Sequence, residues 1–425
     1  MRVLLVAYAE RTTTQPLVPL GWGLRAAGHE VLVATQPAAA AQVATTGLPV
    51  AAVGRDHGFW RVMRHVGFER DTDVPGFASV HGRARSAAPP DERLHADYAE
   101  VVTWWWRTVN DPMLDAVVRL ARRWRPDVVV WETSTYAGAV AAAACDAAHA
   151  RFVWTVDVFA RLRARVHAAG PGPDALRAWL ERCARRYDVA WAEELAVGQA
   201  TITFLPAALR GPAPDRSRGP DRPGGAVVLP VRPVPFPGRS VLPRWLTERP
   251  PRPRVVVCFG TTGAEHFGTD GAHLGDVVRG LGGLGADVVV ATAAPETIDG
   301  VALPAGVRVE PFLPLDALMR SCALLVSHGG PGTVATGVAH GVPQLVVPGE
   351  FDGPELAAHL AATGAAAVLE RPAASPEAVT AAADGLLRSG AVTAAARRLQ
   401  DEARAMPAPA ELAAPLAALR GGRVR

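Results

Sequence analysis

The order strand, glycine loop, helix between Ala323 and Gly341 restricts the fold of this chain more than any other stretch. Ala323-Leu324-Leu325-Val326 predicts a short buried strand, Thr333 to His340 predicts a helix closed by Gly341, and Ser327-His328-Gly329-Gly330-Pro331-Gly332 joins the two. A continuous apolar strand leading into a helix belongs to a parallel sheet covered on both faces. Glycines let the backbone approach a ligand closely, and the helix beyond them points free N–H groups and its positive dipole end into the same space. A diphosphate fits such a place, and His328 adds a directional donor that a plain glycine loop lacks. The competing reading is a tight turn with no ligand. The downstream block Gly341-Val342-Pro343-Gln344-Leu345-Val346-Val347-Pro348, followed by Asp352, favours the ligand.

The same alternation runs through both halves. Met1 to Ala7 reads as a first β-strand, since its apolar run breaks at Glu10-Arg11 without a convincing cleavage site for a secretory signal. Pro16 then opens a helix that carries Leu17, Leu20 and Leu24 inward and stops at Gly28, and Glu30 to Thr35 returns as a strand. Further strands are expected at Asp127–Trp131 and Phe152–Val156, with an Ala-rich helix between them. From Pro206 to Pro253 the chain turns rich in Pro, Arg and Gly and reads as linker, with Val227-Val228-Leu229-Pro230 as a candidate strand inside it. A second alternating half begins at Arg254-Val255-Val256-Val257-Cys258-Phe259-Gly260 and continues through Asp287–Ala291, Leu324–Ser327 and Gln344–Val347. The fold class is therefore α/β, two Rossmann-like doubly wound domains facing across a cleft, with ligands beyond the carboxyl ends of the strands. Phe59 to Ala99 shows no clear period and reads as a long insertion on the first half.

Composition removes several function classes. The formal net charge of +3 gives no electrostatic case for nucleic acid. No run approaches a transmembrane length. The four cysteines, Cys145, Cys183, Cys258 and Cys322, form no CxxC pair, so zinc or a disulfide framework is not expected and a reducing cytoplasm is the simpler context. All 44 basic residues are arginine.

Two glycine patterns mimic a dinucleotide fingerprint and fail on context, because that fingerprint works only where glycines lead out of a strand. Gly21-Trp22-Gly23-Leu24-Arg25-Ala26 lies inside the first helix, and Gly280-Leu281-Gly282-Gly283-Leu284-Gly285 ends a helix. The turn after the first strand, Ala9 to Gln15, has no glycine, which argues against a nicotinamide oxidoreductase. Asp71-Thr72-Asp73 resembles a metal-holding D-x-D pair but lies in the insertion, where a solvated acidic turn is the simpler reading. No metal site is expected.

Together, the His328 to Thr333 and Gly341 to Pro348 blocks resemble the donor half of GT-B glycosyltransferases that decorate antibiotics and other natural products. The run Pro19 to Val31 is similar to their first helix and second strand. Arg123-Trp124-Arg125-Pro126-Asp127, Trp131-Glu132, His149-Ala150-Arg151, Asp157 and Trp191 to Gln199 narrow the resemblance to the macrolide deoxyaminosugar transferases, such as the desosaminyltransferases. Nearly the whole chain takes part.

The resemblance implies inverting, metal-independent transfer of a deoxysugar from a dTDP-sugar to a polyketide-type or aromatic aglycone, with no cofactor. It implies an acceptor-binding domain at 1–206 with the insertion at about 59–99, a linker region at 207–253, a nucleotide-sugar domain at 254–406, and a segment at 407–425 that crosses back to the first domain. His328, Gly329, Gly330, Gly332 and Thr333 would cradle the diphosphate, Gly260, Thr261 and Thr262 would line it, Phe312 and Leu313 would meet the thymine through main chain, and Asp352 would complete the donor site. Some relatives need a cytochrome-P450-like auxiliary protein, for which the insertion is the expected contact. A homodimer is compatible with the family.

Transfer to a hydroxyl needs a group that takes the proton. In these enzymes it is usually a histidine in the loop after the first strand, and the matching residue here is Thr13. A threonine hydroxyl can hold an acceptor but is too weak a base to replace imidazole. Three accounts follow: Asp157 or Glu132 is the base; the acceptor is self-activating, as for a C-glycosyltransferase; or the protein binds a nucleotide sugar or a partner without turnover. For both carboxylates the competing role is capping the next helix. Trp104-Trp105-Trp106 cannot all face one core on a helix. One or two are expected in the core with one at a domain contact, or they wall a pocket for a polyketide-type acceptor.

Overall fold

In a computed structural model describing residues 1–65, 90–211, 227–260, 271–292, 298, 303, 306–349 and 351–421, two parallel sheets organise the chain. One unit comprises Met1–Phe204, Pro212–Val231 and Pro407–Arg425, the other Leu205–Gly211 and Arg232–Met406.

The first unit's sheet contains β1 (Arg2–Val6), β2 (Glu30–Thr35), β3 (Val50–Ala52), β4 (Val128–Glu132), β5 (Ala148–Val153), β6 (Ala200–Thr203) and β7 (Val227–Pro230). Their order is β3-β2-β1-β4-β5-β6-β7, all pairs parallel. Strand order reverses between β1 and β4, so the chain leaves these two neighbours in opposite directions and opens a crevice beyond their carboxyl ends. β7 shows that the Pro-rich stretch is not all linker: Ala200–Thr203 pairs in register with Val227–Pro230.

The second unit's sheet contains β8 (Arg254–Cys258), β9 (Asp287–Ala291), β10 (Val307–Glu310), β11 (Cys322–Ser327), β12 (Gln344–Val346) and β13 (Ala366–Val368). Their order is β10-β9-β8-β11-β12-β13, again parallel, with the reversal between β8 and β11. Val255, Val257, Val288, Val290, Leu324 and Val326 pack one face, and Val256, Val289 and Leu325 the other. This two-sided burial explains why these strands read as unbroken apolar runs.

Both false fingerprints prove to be packing glycines. A Cβ on Gly23 would lie 2.5 Å from Pro409 Cβ and 2.7 Å from Ala410 N, so the helix Val18–Ala26 needs glycine where the C-terminal segment crosses it. A Cβ on Gly280 would meet Pro376 O at 2.4 Å. That segment then leads into the helix Ala413–Gly421, whose Arg420 reaches Asp127 at 2.9 Å.

Two expectations need correction. The strand expected at Phe152–Val156 runs instead over Ala148–Val153. Its Ala, His and Arg residues carry no strand signal; His149 and Arg151 are buried there because Trp131 Nε1 donates to His149 Nδ1 at 3.1 Å and Asp157 pairs with Arg151. The stretch expected to be irregular carries helices at both margins, Phe59–His65 and Pro90–Glu100. Leu94 and Tyr98 of the latter are buried four residues apart, a period hidden among Asp, Glu, Arg and His. The acidic pair Asp71 and Asp73 lies outside the described residues. The three tryptophans do not share one core: they occupy a π-helical segment, Val101–Arg107, which places Trp106 fully inside, Trp105 at an intermediate depth and Trp104 outside. Among the described residues, no helix is long and apolar enough to cross a membrane.

Candidate functional site

Each unit presents a cluster where its sheet reverses. In the second unit, β11 ends at Ser327, whose Oγ accepts the Gly329 N–H at 3.2 Å. Gly329 then takes φ +84°, a left-handed conformation that glycine adopts without strain. Gly330 caps the helix Pro331–His340, Pro331 fills the first helical position, and Gly341 closes the helix at φ +66°. On the other side of the reversal, β8 leads to Gly260 at φ +74°.

These turns converge on one imidazole. A Cβ on Gly260 would stand 2.8 Å from His328 Cε1, and one on Gly330 would stand 2.7 Å from His328 Nε2. The His328 carbonyl accepts the Gly349 N–H at 2.9 Å, which ties the loop after β12 to the same place. A Cβ on Gly332 would meet nothing within 4 Å, so the first helical turn borders open space. The Cys258 thiol at the end of β8 is pushed up by burial, against the lowering influence of the Gly260 backbone and the Thr333 side chain. The first amides of the helix, with its positive dipole end, form a ready cradle for an anion.

The remaining donor-side expectations fall around this loop. Asp352, buried, occupies the N-cap position of the helix Gly353–Ala362. Leu313 turns its side chain into the core with Val256, Val289 and Leu318, leaving only main chain for a ligand, while Phe312 beside it is exposed. Thr261 and Thr262 lie outside the described residues.

In the first unit, the crevice between β1 and β4 holds a polar network. Glu132 ends β4 fully buried. It accepts from Thr135 Oγ1 at 2.6 Å, Trp154 Nε1 at 2.8 Å, Ser134 Oγ at 2.9 Å and Ser134 N at 3.2 Å. Burial raises its pKa against the lowering effect of these donors. Tyr8, after β1, donates its N–H to Thr135 Oγ1 at 3.1 Å, and burial, then the charges of Glu132 and Glu10, hold its hydroxyl well above the ordinary value.

The three residues expected to be catalytic are brought to this edge of the sheet, but their side chains are already committed. Thr13 is fully buried, and its hydroxyl donates to Tyr8 O at 2.8 Å and Glu10 O at 3.0 Å. It braces the loop, which corrects the expectation that it could hold an acceptor. Glu132 is enclosed by its donors. Asp157 accepts from both terminal nitrogens of Arg151, which is 1% exposed, and from the Ala160 N–H at 3.1 Å, capping the helix Val158–Ala168.

Sequence reasoning missed Glu10. Trp60 Nε1 donates to Glu10 Oε1 at 2.5 Å, and His57 Nε2 lies 3.8 Å from the same oxygen. His57 itself accepts the Phe59 N–H on Nδ1 at 3.3 Å, packs edge-on against Tyr8 and reaches Ala9 O at 3.2 Å through Nε2. Gln36, fully buried, accepts the Ala9 N–H at 2.9 Å and fixes the loop from β2. Phe59, Trp60, Trp105 and Phe159 are linked by successive ring contacts beside this carboxylate, with Phe59 and Phe159 buried. The available signal was the position of Glu10 just past β1, which matters only once β1 is known to border the reversal.

Two family profiles match the chain: the erythromycin biosynthesis protein CIII-like N-terminal domain over residues 22–260 and the corresponding C-terminal domain over 276–419. The chain is 36% identical over 420 residues to 10-deoxymethynolide desosaminyltransferase of Streptomyces venezuelae, covering 96% of this chain and 95% of that protein. It is 37% identical to tylactone mycaminosyltransferase of Streptomyces fradiae, covering 95% and 86%. The solved structure of the glycosyltransferase VinC in complex with dTDP superposes with a TM-score of 0.81 at 32% identity, covering 99% of this chain and all of that one.

Proposed function

This chain belongs to the erythromycin biosynthesis protein CIII-like family of glycosyltransferases, and within it we propose that it transfers a deoxysugar from a dTDP-sugar to a natural-product aglycone, with inversion and without a metal. The observation that carries this reading is the convergence of Gly260, His328 and Gly330 at the helix N-terminus where the second sheet reverses. As the anomeric bond breaks, negative charge grows on the diphosphate. Oriented amides, a helix dipole and an imidazole donor stabilise that charge without reorganising, and such preorganised stabilisation is a large part of catalysis. The cradle therefore supplies at the leaving group what a metal supplies elsewhere.

The VinC complex with dTDP supports the nucleotide, and the two macrolide transferases support an aminodeoxysugar and a macrolide-type acceptor. A cytochrome-P450-like helper docking on the insertion, a homodimer and a cytoplasmic setting complete the reading.

His328→Ala is expected to weaken dTDP binding about 10- to 100-fold, the range of a lost hydrogen bond to a charged group, in titration calorimetry. Absence of dTDP binding by the unaltered protein would sink the reading. Transfer is measured by mass spectrometry with dTDP-desosamine and dTDP-mycaminose against 10-deoxymethynolide and tylactone, with and without a P450-like helper. Binding of dTDP with no transfer to any of these would favour a nucleotide-sugar-binding protein without turnover.

A further inference from the structure

Resting on that reading, we infer that Arg371 is a positioning residue for the diphosphate cradle, holding His328 in place through the loop after β12. All the groups involved belong to the second unit. β11, β12 and β13 are parallel neighbours, so the chain leaves all three at the same edge of the sheet, where the helix Pro331–His340 begins. Main-chain bonds lace these exits together. The Val347 N–H donates to Ser327 O at 2.8 Å, the Gly349 N–H to His328 O at 2.9 Å, and the Leu369 N–H to Val346 O at 2.9 Å.

Past Leu369 the chain enters the short 3-10 turn Arg371–Ala373, and a side chain continues the lacing: Arg371 Nε donates to Pro348 O at 3.1 Å. Pro348 has no N–H, so its main chain offers the neighbouring exit a carbonyl alone. One residue further on, Gly349 carries the grip to His328. A Cβ on Gly349 would stand 3.5 Å from a terminal nitrogen of Arg371 and 3.6 Å from His328 Cδ2, so guanidinium and imidazole flank the same point of the loop.

An imidazole donor stabilises a diphosphate only while it keeps one direction, and a misplacement of about 1 Å forfeits much of the interaction. Gly260 and Gly330 fix the ring by close approach, and Gly349 fixes the His328 carbonyl. Arg371 acts on the last of these through Pro348, and this role needs no contact with the nucleotide. Arginine suits it because its planar guanidinium presents the Nε–H in a fixed direction. Without that bond the loop after β12 can shift, and the imidazole shifts with it.

The test is a double-mutant cycle read as dTDP affinity by titration calorimetry, with Arg371→Met and His328→Ala made singly and together. Methionine keeps much of the stem but cannot donate, so a loss of about 10-fold is expected, the worth of one hydrogen bond, with the unfolding midpoint unchanged. Added to His328→Ala, the same change is expected to cost less than about twofold, because the imidazole it positions is gone. Should Arg371→Met lower the unfolding midpoint, the cycle is read on Arg371→Lys, which keeps the stem and the charge but not the fixed Nε–H. Normal dTDP affinity in the variant read, or a loss that adds in full to that of His328→Ala, would overturn the inference. Failure of the unaltered protein to bind dTDP would instead sink the parent reading.

Discussion

Asp157→Asn is expected to destabilise the protein by about 3–5 kcal/mol, the usual result of removing one partner of a buried ion pair. Arg151 lies on β5, a central strand, and is 1% exposed; its guanidinium has Asp157 as its charged partner within hydrogen-bond reach. Asparagine can still accept the Ala160 N–H, so the helix cap survives and the change isolates the charge. The unfolding midpoint should drop by about 10 °C, read by circular dichroism. Adding Arg151→Met removes the stranded charge and should recover most of that stability, because apolar replacement of a buried pair is often neutral or better. The double variant also decides a mechanistic point. If Asp157 were the base, restored stability would leave transfer abolished. The geometry predicts that transfer returns with the fold.

Gly260→Ala is expected to lower dTDP affinity about 100-fold while leaving most of the stability in place. Two effects combine. At φ +74° an L side chain costs about 1–2 kcal/mol, and the new Cβ would stand 2.8 Å from His328 Cε1, forcing the imidazole out of its position. Gly330→Ala separates them. Its φ of −59° suits any residue, so its only fault is the 2.7 Å approach to His328 Nε2. That variant should therefore match His328→Ala, with a loss of about 10- to 100-fold. Equal and normal dTDP affinities for both glycine variants would show that the imidazole is not where the nucleotide binds.

The donor loop was legible because its information is local. A buried strand, glycines at the turn and a helix with proline at its first position and glycine at its end are all read from near neighbours. The false fingerprints were rejected by the same local context, although the reason for Gly23 and Gly280, close crossings by Pro409 and Pro376, lay far along the chain. The burial of Leu313 among Val256 and Val289 depends on the sheet behind it, which no local pattern reveals.

The first unit's chemistry was less legible. Reading Thr13 as an acceptor contact required knowing where its hydroxyl points, and a short helical turn, Arg11–Thr14, points it at the Tyr8 and Glu10 carbonyls. The edges of the long insertion escaped notice because polar residues outnumber the few apolar ones that the helix Pro90–Glu100 buries.

By itself, then, the amino-acid order determined which segments are strands and helices, that the strands run parallel, and that a glycine turn leads from β11 into a helix N-terminus. Hydrophobic periodicity and turn chemistry act between residues a few positions apart, so they survive in one dimension. Only the tertiary structure decided that Glu10 meets Trp60, 50 residues away, that Arg151 is buried against Asp157, and that Glu132 is sealed by Trp154. Those outcomes depend on which strands become neighbours and on what each buried charge finds when water is excluded, and both are set by the whole fold at once.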